Sequence, residues 1–237
     1  MDYKDESIPL VIYHCDIYTT IREFEQALSN AVLAAEGVCF NNDNEEAGMI
    51  RDLILKNRSY RRFYQDVAVE LDTLRELVDL ARLSASAANM QPLRYILSCD
   101  PEKNASIFSH LAWAAYLKDW RGPSEGERPS AYIIILEDTK TSHPMGCDHG
   151  VAAQSILLGA TERGMGGCMI GAVEKKGLRK ALRIPDHYEI LLVLALGNPK
   201  ETVVIETVGT TGDIKYWRDS EGVHHVPKRS LDEIIVG

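Results

Sequence analysis

No apolar run in this 237-residue sequence approaches the roughly 18–20 residues that a membrane-spanning helix needs. The longest such run, residues 190–196, reads instead as a strand. No secretory signal is expected either. The chain opens with acids around a single Lys4, and the apolar stretch at 8–13 is too short. Basic charge is in deficit: 26 Lys and Arg face 35 Asp and Glu, a net −9. That excludes a general binder of nucleic acid or anionic membrane, which needs a basic face. Cysteine is sparse and unclustered, at positions 15, 39, 99, 147 and 168. Reduced thiols in a cytoplasmic protein are the expectation. Internal repeats and low-complexity tracts are absent. What remains, 45% apolar and 26% charged residues, is the balance of a globular chain with a sizeable core. The length allows one large domain, or one domain with an appendage.

The charge is unevenly placed. Residues 1–48 hold ten acidic and two basic side chains, a net −8, whereas 49–237 hold 25 and 24. The sequence therefore divides into an acidic N-terminal extension, 1–48, and a main domain, 49–237. Within the extension, Thr20 and Glu23 fit a capping box, followed by a helical apolar face that stops near Gly37. Residues 41–48 read as a loop or linker. The main domain is expected to begin at Met49, with 1–48 an accessory extension or the product of an upstream start.

From Met49 the pattern predicts a short helix ending near Asn57, then a second helix capped by Asp72 with Leu74, Leu77, Val78 and Ala81 on one face. A strand follows at 93–98, a helix over 101–120, and a buried strand at 131–136. The remainder reads as a helix at 149–163, a strand at 168–173, a basic helix at 175–183, a strand at 188–196 and a short terminal helix at 231–236.

Several segments could carry chemistry. Arg58, Ser59, Arg61 and Arg62 follow a helix directly. They can hold a phosphate, or they can be a solvated loop. The stretch from Ser86 to Pro92 offers small residues plus the amides of Asn89 and Gln91, which suits a heterocycle edge, or it is simply a helix end and turn. The glycines at 164, 166, 167 and 171 fail as a dinucleotide fingerprint. Met169 occupies the third glycine position, and the helix precedes the turn instead of following it. Gly171 suggests a close backbone approach. Lys228 and Arg229 could add charge to an anion site. His143, Cys147, His149 and Cys168 match no tight zinc spacing, so no metal is expected. Cys147-Asp148-His149 is a poor triad, because adjacent residues rarely face one another. His224 and His225 read as a surface pair.

Taken in order, four blocks resemble the FMN-dependent nitroreductase family over about residues 49–236: 57–63, 86–92, 148–172 and 226–233. Asn57, Ala85 and Leu93 depart from the family pattern. The resemblance implies an α+β fold with a central, mainly antiparallel sheet flanked by helices, in a homodimer with FMN at the interface. It implies that Arg58, Ser59 and Arg229, with Lys228 a further candidate, hold the FMN phosphate. Arg61 is then expected at the pyrimidine edge, where a cation stabilises the charge of the reduced ring. Ser86, Asn89 and Gln91 are expected from the partner subunit, and the backbone of Gly171 and Ala172 beside the reacting ring. No side chain is expected to act as a catalytic nucleophile or base. The implied activity is an NAD(P)H oxidoreductase, with NADH or NADPH as donor and nitroaromatics or quinones as acceptors. Trp113, Tyr116 and Trp120 fall where the family has a variable lid. Two alternatives are a same-fold enzyme for one metabolite and a non-catalytic FMN-binding or regulatory protein.

Overall fold

The computed structural model of the protein describes residues 42–141 and 146–237, with only the backbone for 42–47. The helix expected at 20–37 lies outside the described residues. The described helices are α1 (Asn42–Lys56), α2 (Leu71–Leu83), α3 (Pro101–Phe108), α4 (Asp148–Glu162), α5 (Lys175–Leu182) and α6 (Leu231–Ile234). The strands are β1 (Leu93–Ser98), β2 (Ala131–Asp138), β3 (Gly166–Ile170), β4 (Tyr188–Gly197), β5 (Val203–Thr207), β6 (Trp217–Arg218) and β7 (His224–Lys228). Ile50–Gly237 form one compact unit.

The central sheet has the order β1-β2-β4-β3, antiparallel at every pairing. Its middle strands are buried on both faces, which is why β2 and β4 read as near-continuous apolar runs and not as alternations. Along β2 the odd positions Ala131, Ile133 and Ile135 pack in one cluster with Leu74 and Leu77 of α2 and Ile156 and Leu157 of α4. The even positions Tyr132, Ile134 and Leu136 pack in the other cluster with Ile107 of α3 and Leu178 of α5. Period two thus divides one strand between two helical layers. The mixed α+β fold with a mainly antiparallel sheet is as the sequence predicts. A second sheet, β5-β7-β6, pairs β5 with β7 in parallel and β6 with β7 antiparallel.

Four local expectations are corrected. Residues 42–48 are the first turns of α1, not a loop. Asp72 is not the cap of α2: the N-cap is Glu70, without a side-chain bond, and Asp72 sits in the first turn. The helix expected at 101–120 ends at Phe108. Beyond it, the Ala112 amide donates to the Ala172 carbonyl and the Glu174 amide to the His110 carbonyl. These backbone bonds to a distant segment replace the i→i−4 bonds that would have extended the helix. Gly171 lies just past β3, which ends at Ile170.

Candidate functional site

Arg58, Ser59 and Arg61 lie between α1 and the core. The Ser59–Gly167 bridge and the Tyr60 amide donating to the Gly167 carbonyl (3.0 Å) fasten that segment to the edge strand β3. Beside it, Asn57, Arg58, Ser59 and Arg61 line a pocket of about 300 Å³, closed by Gln154 of α4 and by Tyr216, His224 and Lys228. An adjoining pocket of about 180 Å³ is lined by Arg61, Ala112, Trp113, Gly171, Ala172 and Tyr216, among others. Arg61, Met169 and Tyr216 line both pockets, so the two adjoin.

Among the described residues, no carboxylate pairs with the side chain of Arg58, Arg61 or Lys228. Arg58 Nη2 donates to the Ile54 carbonyl at 2.6 Å, and its Nε is buried without a partner. Burial lowers the pKa of its guanidinium. Arg61 is held from its backbone side, where Glu201 Oε1 accepts its amide hydrogen. The Arg61 guanidinium lies over the Tyr216 ring, 4.8 Å from the centroid, with Nη1 3.2 Å from His224 Nε2. Three uncompensated cations around one concavity are a site for an anion.

His224 corrects the expectation of a surface pair: it is fully buried. Burial and the nearby Arg61 and Arg218 push its pKa down to about 4, so its ring is neutral. Arginine only donates, so Nε2 accepts from Arg61 and the ring proton sits on Nδ1. That Nδ1 has no partner among the described residues. His225 is held between Glu206 (2.6 Å) and Asp219 (3.2 Å), which raise its pKa.

The remaining expected site residues are placed as follows. Lys228 and Arg229 are both exposed; Lys228 lines the larger pocket, and Arg229 pairs with Glu233 at 3.5 Å. Gly171 and Ala172 line the smaller pocket, and a Cβ added at Gly171 would meet nothing within 4 Å. The backbone there borders open space. Ser86 and Gln91 line a different pocket, of about 210 Å³, together with Asp148. Ser86 Oγ donates to Asp148 Oδ2 (2.5 Å) and accepts from the Gln91 amide (2.9 Å), leaving one lone pair for a ligand. Gln91 Nε2 donates to Asn89 Oδ1 at 3.1 Å. Ala88, Asn89 and Gln91 all adopt positive φ, near 50°. For non-glycine residues this is strained backbone, of the kind held at functional sites. Asp148 thus anchors this turn and is not part of a triad with the exposed Cys147. His143, of the zinc set, lies outside the described residues.

Of the three lid candidates, Trp113 is buried in the core and Trp120 packs beside it under the Arg218 guanidinium. Tyr116 reaches the site's edge, with its ring 4.9 Å from that of Tyr216. Gln154, Glu201, Tyr216 and His224 are site residues that sequence reasoning missed. No motif marks them. The only signal was two histidines shortly before Lys228.

Comparison with known proteins settles the family. The model of the nitroreductase family matches residues 54–198. The chain belongs to the nitroreductase family. A Bacillus subtilis relative described as an FMN reductase (NADPH) is 28% identical over 164 residues, which cover 62% of this chain and 65% of that one. A solved FMN-dependent nitroreductase from Clostridium difficile is 25% identical, with a TM-score of 0.51 over 62% of this chain and 86% of that one. A nitroreductase family protein from Streptococcus pneumoniae, 18% identical, shares the fold with a TM-score of 0.58 over 79% and 99% of the two chains.

Proposed function

We propose that this member of the nitroreductase family is an FMN-dependent NAD(P)H oxidoreductase that reduces nitroaromatics, quinones or similar acceptors. The observation that carries the reading is the pair of adjoining pockets that share Arg61. One is ringed by unpaired cations, and the other is bordered by open backbone at Gly171 and Ala172. The names of the Bacillus and Clostridium relatives support the cofactor.

The residues present fit FMN. Arg58, Ser59 and Lys228 would hold its phosphate, supplying two charges and a hydroxyl. Arg229 would join them only by leaving Glu233. Arg61 would face the electron-accepting end of the ring, where its charge, its side chain unpaired with a carboxylate among the described residues, favours the reduced state. The missing side chain at Gly171 would let a flat ring approach the backbone. FMN, when bound, accepts a hydride from the nicotinamide and passes reducing equivalents to the acceptor. The chain supplies position and electrostatics, and no side chain acts as acid, base or nucleophile. Ser86, Asn89 and Gln91 would complete the site from a second copy, making the active form a homodimer. Its place is a cytoplasmic one, with no nucleic-acid or membrane partner.

The test is the visible spectrum of purified protein after FMN addition and desalting, followed by anaerobic NADH or NADPH. A retained flavin band that bleaches on reduction supports the reading. Well-folded protein that retains no flavin defeats it and favours the non-catalytic alternative.

A further inference from the structure

Among the described residues, Arg61 is the one charged side chain common to both pockets of the candidate site. An arginine side chain is long and flexible, and its charge serves a bound ligand best when it is held in place beforehand. Three groups hold this one. Nη1 donates to the Ser59 carbonyl at 3.1 Å and lies 3.2 Å from His224 Nε2. The planar head rests on the Tyr216 ring, 4.8 Å from its centroid. Tyr216 is packed in turn, with its ring 5.1 Å from that of His224 and 4.9 Å from that of Tyr116.

All three groups are neutral. The nearby Arg62 and Arg218 are instead seated on carboxylates, Glu127 at 2.5 Å and Glu201 at 2.8 Å. A carboxylate orients a guanidinium and cancels its charge at once. A carbonyl, a neutral imidazole and an aromatic face orient it and leave the charge for a ligand. Full burial and the adjacent Arg61 both disfavour a charged His224 ring. Because His224 is out of solvent, it acts through Arg61 and touches no ligand itself.

We propose that His224 and Tyr216 are positioning residues, a charge-preserving seat that aims Arg61 at the flavin ring and so sets how strongly the site favours the reduced cofactor. The inference rests on the flavin reading above. Contacts to the phosphate end are the same for both redox forms and bind them alike. A fixed charge at the ring end binds the reduced form more tightly. The signature of the seat is therefore the ratio of the dissociation constants of reduced and oxidised FMN, not either constant alone.

The test is an anaerobic spectroelectrochemical titration of the FMN-loaded, full-length protein near neutral pH, with the dissociation constant of oxidised FMN measured alongside. His224→Leu removes the acceptor. It should weaken reduced FMN about tenfold relative to oxidised FMN, which lowers the two-electron potential by about 30 mV. His224→Gln returns a neutral acceptor and should restore most of the difference. Tyr216→Leu should act in the same direction, whereas Tyr216→Phe, which keeps the ring face, should not. His225, next along β7, bonds to Glu206 and Asp219 and not to Arg61. His225→Gln should therefore lower the melting temperature and leave the ratio unchanged. If His224→Leu does not fold, the Tyr216 pair decides. Unsubstituted protein that retains no flavin overturns the flavin reading and this inference with it. Retained flavin with a ratio unmoved by His224→Leu or by Tyr216→Leu, or moved as far by His224→Gln, Tyr216→Phe or His225→Gln, overturns this inference and leaves the flavin reading standing.

Discussion

Glu201 has its side chain wholly out of solvent, yet both of its oxygens are engaged. One accepts the amides of Arg61 and Arg62, and the other pairs with Arg218 Nη2 at 2.8 Å. Glu201→Ala would strand the Arg218 guanidinium, which is 15% exposed. Breaking a buried pair from one side costs about 3–5 kcal/mol. The melting temperature should therefore fall by on the order of 10 °C in a calorimetric scan. The adjacent histidines titrate in opposite senses. His224, held neutral, has a folded pKa near 4, below its unfolded value. The unfolded chain binds the extra proton first, so stability falls as pH drops from about 6.5 towards 4, by about 3 kcal/mol in all. His225 has a raised pKa, and its contribution is full at low pH and lost as pH rises through that value. In an NMR titration, the His224 ring signals should stay in the neutral position down to about pH 5, while those of His225 move with a midpoint above about 6.5. A His224 midpoint near 6.5 would contradict the buried neutral ring.

At the scale of elements, β3 shows what its glycines are for. Gly164 has a positive φ of 73° and makes the turn that the sequence suggested. Gly166 and Gly167 lie within the strand. A Cβ on Gly167 would come within 2.5 Å of Leu157 Cδ2 and 2.8 Å of the Ala195 carbonyl oxygen. Because one of these neighbours is backbone, Gly167→Ala should destabilise by about 1–3 kcal/mol in urea unfolding. It should also disturb the carbonyl that holds the Tyr60 amide beside the candidate site. The elements legible from strong apolar patterns in the sequence are α2, β1, β2, α4 and β4. The sheet β5-β7-β6 was not legible. Its strands are short, partly exposed and polar, and β5 and β7 pair in parallel across an intervening loop. Arg58, Ser59, Arg61 and Lys228 could be picked out as anion ligands by residue type. Tyr216 and His224 could not, because tertiary pairing alone brings them to Arg61. The helix expected at 101–120 stops early for the same reason, since the His110 carbonyl and the Ala112 amide bond to residues far along the chain.

At the scale of the whole molecule, one chain divides the expected flavin contacts between places that share no lining residue. Arg58, Arg61 and Lys228 surround one pocket, while Ser86 and Gln91 surround another. The proposed homodimer resolves the division, because a two-fold interface sets each chain's first group against the other chain's second. This makes a quantitative prediction for mixed dimers. Arg61→Ala and Asn89→Ala chains, purified alone, should each retain little FMN. When the two are co-expressed, half of the dimers are mixed if pairing is random. In a mixed dimer one site carries both substitutions, and the other carries neither. About one quarter of all sites should then be intact, with flavin content and NAD(P)H-dependent turnover restored to about 25% of the unsubstituted protein. If both contacts instead came from the same chain, every site would carry one substitution, and co-expression would restore nothing.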